Sequence, residues 1–75
     1  MKELVEHIAK SLVGHPEQAQ VTEVFHEDEI ALTLSVAPED MGKVIGKQGR
    51  IAKSMRTVLK AAAAKEGKKV NLEIR

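Results

Sequence analysis

The chain has no cysteine, no tryptophan and no tyrosine, and Phe25 is its single aromatic residue. Without cysteine there is no disulfide, and no thiolate to hold zinc or carry redox chemistry. One aromatic ring cannot build the stacking platforms on which many nucleic-acid-binding sheets and barrels depend. No apolar run approaches the roughly 18 residues that cross a bilayer. Met1 to Val13 mixes apolar with charged residues, unlike a signal peptide. The expectation is a soluble cytoplasmic protein. Its 75 residues suggest one small domain, 1–75, of a size that buries only about 60% of its unfolded surface.

Charge is present in both signs but is segregated. Residues 1–40 set Lys2 and Lys10 against nine acids, a net of −7. Residues 41–75 set ten bases against Glu66 and Glu73, a net of +8. The overall +1 hides this asymmetry. A basic half suits a polyanion, although a dipolar, solvated surface without any ligand gives the same arithmetic.

Hydrophobic spacing gives the element order α-β-β-α-α-β. Leu4, Val5, Ile8, Ala9 and Leu12 line one face of a helix from Lys2 to Val13, which Gly14 and Pro16 end. Glu17 to Gln20 is a polar connection. Val21 to His26 is rich in strand formers, but mixed residues on both faces leave its inner side unassigned. Ile30, Leu32, Leu34 and Val36 alternate with Ala31, Thr33 and Ser35, which predicts a strand with an apolar face and a small-residue face. Glu27-Asp28-Glu29 fits a tight hairpin connection. Pro38 opens a short helix, 39–45, with Glu39 and Asp40 in its first turn, where acids suit the helix dipole. A long helix runs from Arg50 to about Lys65, with Ile51, Ala52, Met55, Val58, Leu59 and Ala62 as its apolar face. Val70, Leu72 and Ile74 alternate in a last strand. The helical crossover before it is long enough for parallel pairing with Ile30–Val36.

Between the two later helices lies Gly46-Lys47-Gln48-Gly49. A helix start is electropositive and has N–H groups without internal partners, and glycine lets a ligand approach them closely. A phosphate oxygen fits there. Lys47 and Arg50 flank the loop, and Lys43 and Lys53 lie a turn away on either side. Because this charge extends along the helix, the site suits a phosphodiester backbone better than a lone anion. A bare GxxG is a weak signal, since glycine also caps ordinary helix–helix turns. Its position after a hairpin, between helices and inside the basic half makes it stronger.

Other chemistries fit poorly. Only three residues lie between Gly42 and Gly46 where a nucleotide-binding phosphate loop needs four, and Gln48 stands where its hydroxyl residue belongs. His7, His15 and His26 are dispersed, with neither cysteine nor a histidine pair at helical spacing, so no metal site is expected. Ser11, Ser35 and Ser54 lack the context of a catalytic nucleophile.

The stretch Val44-Ile45-Gly46-Lys47-Gln48-Gly49-Arg50-Ile51-Ala52 resembles the signature of the KH family, an apolar pair followed by GxxG and a helix. The element order resembles the prokaryotic, type II arrangement of that fold, across the whole chain. The resemblance implies an α+β type II KH domain, its three-stranded mixed sheet covered on one face by three helices. It implies non-catalytic single-stranded RNA binding, with about four nucleotides against the GxxG loop. In that pattern Gly46 and Gly49 admit the backbone, and Lys47, Gln48 and Arg50 contact phosphates, with Lys43 and Lys53 nearby. Val44, Ile45 and Ala52 floor the base groove, although Ala52 is smaller than the isoleucine or leucine of many members. One wall of the groove is helix 39–45, the loop and the start of helix 50–65. The other is the central strand with its hairpin. No cofactor is implied. Implied partners are a second copy or a larger KH-containing protein, and the implied role is that of an RNA chaperone, linked in some bacteria to cell-shape control. A KH-fold dimerisation adaptor, with a protein as its main ligand, is the alternative.

Overall fold

In the computed structural model, which describes residues 1–75, helix α1 spans Lys2–Leu12, and strands β1 and β2 span Gln20–His26 and Glu29–Ser35. Helices α2 and α3 span Met41–Ile45 and Arg50–Lys65, and strand β3 spans Lys69–Ile74. The sheet order is β1-β2-β3, with β1 antiparallel and β3 parallel to the central strand. The expected α+β architecture and the parallel crossover are both present.

Alternation in β2 sets the layers. Ile30, Leu32 and Leu34 are buried, and the register brings Val21 and Leu72 onto the same face. There they meet Val5 and Ala9 of α1, Val44 of α2, and Met55 and Leu59 of α3. The opposite face carries Thr22, Val24, Ala31 and Asn71, all exposed, with nothing packed over them. β1 therefore turns Val21, Glu23 and Phe25 inward, an assignment its mixed composition conceals. Phe25 is on the helix side but stays 61% exposed, because the hairpin extends past the helices.

Three details of the sequence pattern are corrected. Leu4 and Leu12 lie at the margins of the apolar face of α1 and are exposed, leaving Val5 and Ala9 to bury it. On α3 the buried set is Ala52, Met55, Leu59 and Ala63, while Val58 is 49% exposed and Ala62 only half-buried. The helix expected over 39–45 is divided into a 3-10 turn, Pro38–Asp40, and the five-residue α2.

Asp40 explains that division. It is the one buried charged residue, and its carboxylate does not face the helix it precedes. Its oxygens accept the N–H groups of Gly14 and His15, each at 3.0 Å, and the Lys43 ammonium lies 3.2 Å away. The end of α1 is thereby tied to the start of α2, which carries the glycine loop. Burial pushes the Asp40 pKa up. The Gly14 N–H, the Lys43 ammonium and the His15 N–H outweigh that and hold it below its ordinary value of 3.8. A depressed folded-state pKa contributes stability above pH 3.8, which is lost as pH falls through the folded value. Asp40→Asn should therefore lower the urea midpoint at neutral pH. The gap from the parent should narrow in melts taken progressively below pH 3.8, and a gap that widened with acid would contradict this account.

Candidate nucleic-acid interface

The glycine loop is built by backbone conformation. Helix α2 ends at Ile45, and Gly46 adopts φ 78°, ψ 175°. Gln48 and Gly49 follow with φ 57° and 74°. A Cβ on Gly46 would lie 2.6 Å from Cγ1 of Ile51, whereas one on Gly49 would meet nothing within 4 Å. Ile51 thus sits directly behind Gly46. This leaves the smaller Ala52, itself almost fully buried, to line the floor of the groove.

The donors of the loop differ from those expected of an open helix start. The N–H of Gly49 donates to the Gly46 carbonyl at 3.1 Å, and that of Arg50 donates to the Lys47 carbonyl. Both are consumed in a tight 3-10 turn. The N–H groups of Lys47 and Gln48 take part in neither of these turn bonds. Their side chains are exposed. The middle of the loop is therefore the part that an approaching anion meets.

Beside the loop runs a trench between α3 and β3. Its first hollow, of about 360 Å³, is lined by Ile45, Gly49, Ala52, Lys53, Arg56, Leu72, Glu73 and Ile74. A second, of about 220 Å³, continues along Arg56, Leu59, Lys60, Val70, Asn71 and Leu72. The wall facing the loop is therefore β3, an edge strand, and not the central strand with its hairpin. The parallel crossover places β3 beneath α3, and β2 lies behind it.

The expected site residues divide accordingly. Ile45, Gly49, Ala52 and Lys53 line the first hollow, and Gly46, Lys47 and Gln48 form the loop at its mouth. Val44 has no exposed surface and supports the groove from the core. It neighbours Ile45 on a helix, so the two point in different directions. Lys43 turns away to Asp40. Arg50 borders a separate hollow with Ile8, Ile51 and Val58. Arg56, Leu72, Glu73 and Ile74 are groove residues that the sequence reading omitted. For Arg56 a signal exists, since Gly49, Lys53 and Arg56 follow i, i+4, i+7 spacing and share a helix face.

Lys47, Arg50, Lys53, Arg56 and Lys60 form no ion pair within the chain. Their charge is available to an outside anion, and such charge attracts a polyanion over about a Debye length, ~8–10 Å. An α-β-β-α-α-β fold with a glycine loop joining its two later helices over a groove defines a KH domain of the type II arrangement. The model of the KhpA/KhpB KH domain matches residues 2–74, and the chain belongs to that family. It is 70% identical over 74 residues to a Clostridium perfringens protein named RNA-binding protein KhpA, covering 99% of each chain. A protein of the same name from Caldanaerobacter subterraneus is 58% identical, again over 99% of each. One from Aquifex aeolicus is 49% identical, covering 99% of this chain and 94% of the relative. No solved structure gives a significant match. No helix is long and apolar enough to cross a membrane.

Proposed function

We propose that residues 1–75 act as one KH domain that binds single-stranded RNA in the cytoplasm without catalysis, as an RNA chaperone or post-transcriptional regulator. The observation that carries this reading is the loop 46–49, exposed at its middle residues and with left-handed backbone at Gln48 and Gly49, set beside unpaired cations and an apolar groove. A phosphate seated on the loop meets its exposed middle residues and the charge of Lys47, with Lys53 next along α3. Bases then turn toward Ile45, Ala52, Leu72 and Ile74, where they leave water for an apolar surface. The names of the relatives support the same ligand class.

Three phosphate contacts should make log K fall against log salt with a slope of about −2, from roughly −0.7 per contact on a single strand. Anisotropy of a short labelled RNA across a salt series measures that slope. A slope near zero would remove the phosphate clamp from the account.

A second reading has its own observation. Val58 is 49% exposed and borders, with Ile8, Ile51 and Met55, an apolar hollow of about 260 Å³ on the side of α3 away from the trench. That face supports a dimerisation adaptor, pairing with a second copy or with a larger KhpB-like KH protein. Absence of RNA binding in every assembly state would favour it. RNA binding by the monomer would make dimerisation an addition to the first reading.

A further inference from the structure

Arg56 is the residue for which the sequence offers no role and the structure offers a position. Its Nε and Nη2 donate to one acceptor, the carbonyl oxygen of Leu72, at 3.3 and 3.2 Å. The side chain reaches from α3 across the trench to β3 and separates the two hollows, both of which it lines.

The Leu72 carbonyl lies on the free edge of the sheet. Lys69 and Arg75 donate their N–H groups to Asp28 and Leu34, on the β2 side. In a strand the N–H and C=O of one residue point the same way, and the direction alternates along the chain. Residues 69, 71, 73 and 75 therefore face β2, and Val70, Leu72 and Ile74 present their backbone groups to the trench. A bare strand edge offers both donors and acceptors to a ligand. Here the acceptor at the centre of the trench is occupied by Arg56.

We infer that Arg56 sets base preference, by masking the Leu72 carbonyl and presenting N–H donors in its place, so that the groove takes a base edge with two adjacent acceptors. This rests on the RNA-binding reading. A guanidinium has five N–H donors, and two are committed to Leu72, which leaves three. The N–H of Leu72 faces the same way. A base entering between α3 and β3 meets a cluster of donors at this level and no free carbonyl. Cytosine offers N3 with O2, and guanine offers O6 with N7, so both can accept twice. Adenine sets its N6 amino donor beside N1 on one edge and beside N7 on the other, and that amino group would face N–H groups in the groove and remain unsatisfied there. Such mismatches are strongly discriminating, because a desolvated donor without an acceptor loses its bond to water. Both bonds to Leu72 are long and share one oxygen, so the guanidinium can tilt toward a base without leaving the edge.

The test compares short oligocytidylate with oligoadenylate of equal length, by anisotropy, on the parent, Arg56→Lys and Arg56→Met. The parent should bind oligocytidylate about tenfold more tightly, the scale of one bidentate contact. Arg56→Lys keeps the charge but loses the planar fork, so its affinity for oligocytidylate should fall about tenfold, toward that for oligoadenylate, and the ratio toward one. Arg56→Met should lose affinity for both and show the same loss of preference. Adenine self-stacking is common to all three proteins and does not change the comparison between them. In the unaltered protein, the Nε–H resonance of Arg56 should shift on adding oligocytidylate and stay in place with oligoadenylate. A ratio that survives Arg56→Lys, or equal shifts with both oligomers, overturns the role of Arg56 and leaves RNA binding standing. If the folded parent binds neither oligomer, the RNA-binding reading fails and this inference fails with it.

Discussion

Gly46→Ala should destabilise the protein by about 3 kcal/mol or more, while Gly49→Ala should cost only about 1 kcal/mol. The two glycines of the loop look equivalent in sequence, and their surroundings are not. Gly46 combines φ 78° with ψ 175°, a region in which a side chain meets its own backbone. Its Cβ would also overlap Ile51, at 2.6 Å from Cγ1 and 2.9 Å from Cδ1. Ile51 cannot easily retreat, since it packs against the core cluster. Gly49, at φ 74° and ψ 14°, is ordinary left-handed backbone with open space where a Cβ would stand. Its replacement costs only the intrinsic penalty of that conformation. For a domain this small, the loss at Gly46 corresponds to a fall in Tm of at least about 10 °C. Thermal and urea melts of the two variants measure the difference. The double variant Gly46→Ala, Ile51→Ala, measured against Ile51→Ala, separates the two causes, because it removes the contacts with Cγ1 and Cδ1, leaves only Cβ at 3.0 Å, and keeps the backbone penalty. Equal losses at Gly46 and Gly49 would show that Ile51 is not the constraint.

How much of this was legible in the sequence depends on whether a feature is set by neighbours along the chain or by the fold. The alternation of Ile30, Leu32 and Leu34 is local, and it located the central strand and its buried face. The GxxG stretch is local as well, and it located the loop. The partners of Asp40 are not local. Gly14 and His15 lie 26 and 25 residues before it, and nothing in Pro38-Glu39-Asp40 indicates that the carboxylate turns back to them. The same fact displaced Lys43, whose ammonium follows Asp40 away from the loop. Val44 and Ile45 illustrate a finer limit. An apolar pair at the end of a helix shows that one residue enters the core, and only the packing of α2 decides that it is Val44. The second wall of the groove needed the sheet order, because β3 is the last strand in sequence and the one nearest the loop's trench in space. Arg56 followed from that. Its helix face could be read from spacing, but its acceptor belongs to an edge strand whose free side is fixed by register.

Replacing Lys47 and Gln48 together by aspartate should abolish detectable binding of single-stranded RNA while leaving the fold intact. The expectation of an intact fold comes from the backbone. Gln48 already occupies the left-handed region, at φ 57° and ψ 26°, and aspartate is among the residues that tolerate it best. Both side chains are exposed and neither makes a hydrogen bond or ion pair in the chain, so no contact is lost from the core. The expectation of lost binding comes from electrostatics. The substitution turns one positive charge into two negative ones at the position where a phosphate would rest on residues 47 and 48. Like charges at about 4 Å repel by roughly 1 kcal/mol even in bulk water, and by more beside a protein surface. With two carboxylates at the phosphate position and the Lys47 contact removed, affinity should fall by at least about a hundredfold. Anisotropy at low salt measures the loss, and circular dichroism with a urea melt checks that the fold persists. Lys65→Asp, placed at the far end of α3 from the loop, is the matched control for a general change of charge and should reduce affinity far less. If the loop variant and the Lys65 control weaken binding equally, the basic half attracts RNA as a diffuse surface and the glycine loop is not its clamp.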